Sequence, residues 1–131
     1  MVGRKRTKPE KLLTEVELEL MKIIWEIGEC TVKEVQEALP QGRDLAYTSV
    51  ATMMKILEAK GVLTSSKRER AHTYEPALSR ADYESMSLRH LTHHVFRDDP
   101  GSMVMRLLDE SALSDEELKS IRALLDERLK S

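Results

Sequence analysis

The chain has 131 residues, 40% hydrophobic and 34% charged, with a net charge of −2 and a single cysteine. That is enough chain for one modest core with an appended arm, and it excludes an internal disulfide or a zinc site built on paired cysteines. No run approaches the roughly 20 apolar residues that a bilayer span needs, and no apolar stretch follows the basic N-terminus as in a secretory signal, so a cytoplasmic protein is expected.

Divided along its length, the charge is uneven. Residues 1–80 hold 14 Lys+Arg against 12 Asp+Glu, and residues 81–131 hold 7 against 11. Two basic groups stand out. Arg4, Lys5, Arg6, Lys8 and Lys11 fall in a basic, flexible N-terminus over residues 1–11, and Lys67, Arg68 and Arg70 fall in a charged turn. Local basic clusters on an acidic chain point to one surface that meets a polyanion.

Thr14-x-x-Glu17 is a capping-box pattern that opens the first helix, with Val16, Leu20, Ile23, Ile24 and Ile27 on one face and Gly28 as its stop. Trp25 reads as core. Thr31-x-x-Glu34 opens a short second helix with Val32, Val35 and Leu39 inward, closed by Pro40 and Gly42. A third helix is expected over about 47–60, ended by Gly61. On it Val50, Met53, Met54 and Leu57 share one arc, while Thr48, Thr52 and Lys55 lie opposite with Ser49 at the edge. VLTSS and AHTYEP then flank KRER as two strands and a turn, and Pro76 ends the pair. His72 and Tyr74 share one strand face and read as packing residues.

After Pro76, Ser79 caps a helix reaching Val95–Phe96, and DDPG at 98–101 breaks it. A short apolar helix, MVMRLL, follows without an N-terminal cap of its own. Ser114-x-x-Glu117 opens the last helix, with Leu118, Ile121, Leu125 and Leu129 on one stripe. About 50 residues of arm cannot bury that stripe alone. Pairing two arms would bury it; folding back on the chain's own first part is the competing arrangement.

Three helices, a hairpin and a helical arm give a mainly α protein with a small β-hairpin. The expected order is a winged helix-turn-helix DNA-binding domain over 12–78 and a helical dimerisation region over 79–131. Alone, the polar face of the third helix would be an ordinary surface. Beside a basic hairpin it becomes a groove-reading face, because hydroxyls bond base edges and threonine methyls touch thymine methyls. Lys67, Arg68 and Arg70 would then meet backbone phosphates.

At these residues the chain resembles a known family. "LTEVELELMKIIWEIGECTVKEVQEAL", "LAYTSVATMMKILEAKGVL" and the R-A-H-T-Y-E-P strand are similar to the penicillinase-repressor family of bacterial transcription factors, over about residues 12–131. The resemblance implies a homodimeric repressor on an inverted-repeat DNA operator, commonly of TACA/TGTA type. It places Tyr47, Thr48, Ser49 and Thr52 at the groove, with Lys55 and the wing at the backbone. Ser49 stands where a threonine is frequent, which bears on fine sequence preference. Beta-lactam-responsive members are cut by a regulatory protease at an Asn-Phe bond in the segment similar to S-M-V-M-R-L-L. Here that position reads Arg106-Leu107, so the resemblance implies a cut near it by a protease of different preference. Copper-responsive relatives carry paired C-terminal cysteines, which this chain lacks.

Two other functional classes compete with this one. His90 and His94 stand at i, i+4 with Asp98 one turn on, a spacing that suits zinc or nickel and would make a metal-responsive regulator. Histidines near a helix C-terminus also simply favour its dipole, so no metal and no cofactor are expected. No nucleophile–base pair has matching spacing and no glycine-rich phosphate loop is present, so no enzyme is expected.

Overall fold

The computed structural model describes residues 12–110 and 112–130; the basic N-terminus read over residues 1–11 lies outside them. The elements are α1 (Glu15–Ile27), α2 (Val32–Glu37), α3 (Tyr47–Ala59), β1 (Leu63–Arg68), β2 (Ala71–Pro76), α4 (Arg80–His94), α5 (Pro100–Glu110) and α6 (Asp115–Lys130). The fold is mainly helical with one small hairpin, in the winged helix-turn-helix order. The chain divides into two compact units, Met1–Ser87 and Leu88–Ser131, with the boundary inside α4.

In the first unit the capping boxes form as the spacing predicts. Thr14 Oγ1 accepts from the Glu17 N–H at 3.2 Å while Glu17 Oε1 accepts from the Thr14 N–H at 3.0 Å. The Thr31–Glu34 pair repeats this at 3.1 and 2.8 Å. Each box is worth about 1 kcal/mol and costs no long-range contact. Gly28 closes α1 at φ 86°, a left-handed conformation that a side chain would strain.

Leu20, Met21, Ile24, Val35, Val50, Met54, Leu57 and Val62 are wholly buried and form the centre of the core. The buried face of α1 is rotated from the one its aliphatic residues suggest. Glu17 is buried while Ile27 is 41% exposed. Met53 and Leu39 are partly buried, as is Trp25, whose Nε1–H donates to the Leu78 carbonyl at 2.8 Å.

β1 and β2 pair antiparallel from Leu63↔Pro76 to Arg68↔Ala71. Cys30 forms an isolated bridge on the other edge of β2, its N–H donating to the Tyr74 carbonyl at 2.8 Å and its carbonyl accepting from the Tyr74 N–H at 2.7 Å. Burial, with Glu34 and Glu29 nearby, pushes the Cys30 thiol up to about 11, so it stays protonated and unreactive near neutral pH. Ser79 Oγ accepts from the Asp82 N–H at 3.0 Å and starts α4. Tyr83 then enters the first unit's core, where its hydroxyl accepts from the Leu13 N–H at 3.0 Å and its ring lies 5.8 Å from that of Trp25.

In the second unit, Arg97 and Asp98 take left-handed conformations at φ 54° and 61° and end the α4 segment. The helix that follows is longer than MVMRLL and is capped, contrary to expectation. Asp99 Oδ1 accepts from the Ser102 N–H at 3.2 Å, and Pro100 fills the first helical position, where its missing N–H costs nothing. Ser114 and Glu117 form the third capping box, at 3.1 and 2.9 Å. α6 buries none of its residues. No described helix is long and apolar enough to cross a membrane.

Candidate nucleic-acid interface

On α3 the helical period separates two faces. Val50, Met54 and Leu57 point into the core, while Tyr47, Thr48, Ser49, Thr52 and Lys55 are all exposed. The helix begins differently from α1 and α2. Its N-cap is Ala46, with no side-chain hydrogen bond, so the first-turn N–H groups have no side-chain acceptor.

The hairpin is tighter than the sequence suggests. Lys67 and Arg68 are the last residues of β1, and only Glu69 and Arg70 turn the chain, with Glu69 at φ 53°. Strand alternation therefore splits the basic group. Lys67 pairs with His72 on the face that also carries Ser65 and Tyr74, and Ser65 bonds Glu58 of α3. Arg68 lies on the opposite face and Arg70 at the tip. Tyr74 is buried, as read, but His72 is exposed because the tip extends past the core. Burial, then Glu58 and Tyr47, raises the Tyr74 phenol. Among the described residues, Lys55, Lys67, Arg68 and Arg70 make no ion pair.

Three further polar contacts hold α3 and the loop before it. Gln36 Nε2 donates to the Leu45 carbonyl at 3.1 Å. Arg43 meets Glu19 through two bonds, Nε at 2.8 Å and Nη2 at 3.1 Å, and that hydrogen bonding lowers the Glu19 carboxyl. Lys60 Nζ donates to Glu17 Oε2 at 2.6 Å. Burial would push the Glu17 carboxyl up, but Lys60 and the Thr14 N–H together hold it below its ordinary range.

The remaining candidate residues lie in the second unit. Leu118, Leu125 and Leu129 are exposed and Ile121 half-buried, and Leu129 reaches 82% exposure. Arg106 and Leu107 sit inside α5, where Arg106 Nη1 stands 3.6 Å from Glu110. The histidine arrangement differs from the one that would suit a metal. The His90 and His94 rings are 4.2 Å apart, but Asp98 Oδ1 meets His93 Nδ1 at 2.8 Å instead. The left-handed turn brings the Asp98 N–H onto the Thr92 carbonyl and its carboxylate back to the preceding helix. Among the described residues, no three His, Cys, Asp or Glu side chains are grouped to hold a metal ion.

A family model described as penicillinase repressor matches residues 13–127. The chain belongs to the penicillinase repressor family. The Penicillinase repressor of Bacillus licheniformis is 28% identical over 115 residues, covering 88% of this chain and 90% of that protein. Transcriptional regulator BlaI of Mycobacterium tuberculosis is 39% identical over 69 residues, covering 52% of this chain and 50% of that protein. A solution structure of the B. licheniformis BlaI monomeric form in complex with the blaP half-operator is 30% identical. It covers 59% of this chain and 94% of that chain, with a TM-score of 0.49.

For this member of the penicillinase repressor family, sequence reading found the exposed face of α3 but missed what frames it. In sequence Glu17 signals only half of a capping box, and nothing marks Gln36, Arg43 or Lys60. Local spacing signals the cap. Their partners stand 9, 24 and 43 residues away, a separation that no short motif encodes.

Proposed function

We propose that this penicillinase-repressor-family chain is a cytoplasmic, sequence-specific DNA-binding transcriptional repressor that acts as a homodimer on an inverted-repeat operator. The observation that carries the reading is the exposed face of α3, Tyr47, Thr48, Ser49, Thr52 and Lys55, beside the exposed cations Lys67, Arg68 and Arg70, which make no ion pair among the described residues. Thr48 and Thr52 offer hydroxyls and methyls to base edges, and the cations offer charge to phosphates. The names of the relatives, a penicillinase repressor and a transcriptional regulator, agree with it. Residues 12–78 are the DNA-reading part and residues 79–131 the dimerisation part.

Selection of bound fragments from a random-sequence pool tests the reading; wild-type protein that enriches no sequence rejects it. Arg68→Ala should weaken binding to the selected and to a random duplex alike, and reduce the salt slope by about one. Titration in a salt series measures this.

A second copy is the proposed cover for the stripe of Leu118, Ile121, Leu125 and Leu129. A 16-residue helix that buries none of its residues is marginal in water. Apolar area covered between two copies returns roughly 25 cal/mol per Å². Two-fold symmetry then presents two α3 helices to two half-sites.

Release is proposed to follow a cut within residues 103–108, near Arg106-Leu107. Those residues are helical, and α5 is capped by Asp99, so cleavage proceeds through local opening of the helix. Terminal-residue mapping of the protein from induced cells should find new ends in this segment. Intact protein released from its operator rejects cleavage.

A further inference from the structure

Glu17 is the one charged side chain buried among the described residues, at 3% exposure, and no base- or phosphate-facing role accounts for it. Its two carboxylate oxygens serve different elements. Oε1 completes the cap of α1 through the Thr14 N–H, and Oε2 accepts from Lys60 at 2.6 Å. Lys60 is the C-cap residue of α3. One carboxylate thus ties the start of α1 to the far end of the helix that carries the candidate reading face. Gln36, through the Leu45 carbonyl, fixes the approach to the near end.

Stability explains such a pair only weakly: Glu17 is buried but the Lys60 side chain is 41% exposed, and an ion pair open to water on one side contributes about 1 kcal/mol or less. The cap on α1 needs only an acceptor, which a glutamine also supplies. Direction is what the pair adds. Val50, Met54 and Leu57 hold α3 by burial, which is non-directional, whereas the 2.6 Å hydrogen-bonded ion pair is directional and acts at the end of the helix. With the Lys60 contact gone, the Ser65–Glu58 bond would be the remaining side-chain hydrogen bond at that end among the described residues, and the helix axis could tilt about its Leu45 end. From Tyr47 to Lys55 is about 12 Å at the helical rise, so a swing of about 10° displaces Lys55 by about 2 Å. That exceeds the tolerance of a hydrogen bond to a base edge or a phosphate.

We infer that Glu17 and Lys60 are positioning residues that set the angle of α3 and so sequence discrimination, an inference that rests on the DNA-binding reading above. Neither residue needs to touch DNA. The test compares affinity for a duplex that wild-type protein recovers from a random pool with affinity for its scrambled counterpart, alongside melting temperature. Glu17→Gln keeps an acceptor for Thr14 and leaves no buried charge; Lys60→Met breaks the pair from the other side. Whichever variant folds is decisive. It should lose about tenfold in the selected-to-scrambled ratio, the equivalent of one base contact, while scrambled-duplex affinity stays within about twofold. Lys60→Arg, which keeps the pair, should retain the ratio. An unchanged ratio in a folded variant overturns the inference and leaves the DNA-binding reading intact. So does an equal loss on both duplexes with a lowered melting temperature, which marks a merely structural pair. Wild-type protein that recovers no sequence overturns the reading itself, and the inference with it.

Discussion

Full-length protein carrying Ile121→Asp and Leu125→Asp will be a folded monomer and will bind its operator about 10²–10⁴-fold more weakly than wild type. The two positions lie four residues apart on α6, Leu125 exposed and Ile121 half-buried within one chain. Carboxylates there cost the isolated chain little. In a seam between two copies they become charges without partners, which apolar surroundings do not accommodate. The large loss on DNA follows from losing the linked second site. Once the first head is bound, the second meets DNA at an effective concentration near millimolar. Light scattering and operator titration on one preparation check both halves. A dimer that survives the substitutions moves the interface off α6.

The second large effect separates discrimination from attraction. Thr52→Ala and Thr48→Ala will each cost about 1–3 kcal/mol on a selected operator and little on random DNA. Both side chains are exposed on α3, so no core contact is lost. Alanine also favours helix over threonine, so a weakened complex cannot be blamed on a weakened helix. Competition titration with the two duplexes reads the ratio. Equal losses on both would remove the two threonines from the reading face.

Much of this architecture is written in short-range signals. Thr14–Glu17, Thr31–Glu34 and Ser114–Glu117 announce their helices because a capping box closes within four residues. The two faces of α3 follow from period alone. What escaped depends on distance or on unusual backbone. Glu17 was not counted as core because its burial requires Lys60, which sequence does not place beside it. Lys67 and Arg68 were read as turn residues because Glu69 gave no glycine signal for its left-handed conformation. The same kind of backbone at Arg97 and Asp98 turns Asp98 onto His93, away from the His90–His94 pair of the alternative metal reading, and Asp99 supplies a cap that the spacing of DDPG does not announce. The exposed face of α3 was thus legible, and the polar contacts that hold the helix were not.

The bare start of α3 sets stability against use. Serine or aspartate in place of Ala46 would give the helix the side-chain acceptor it lacks, for a gain of about 1 kcal/mol. On the proposed DNA-binding reading, the same change would occupy the first-turn N–H groups from within and, with aspartate, add a negative charge beside the face offered to DNA. A sturdier free protein would then be a poorer ligand for DNA. Selection for thermal resistance alone should therefore improve this position at the expense of operator binding, a stability–activity trade-off located at one residue.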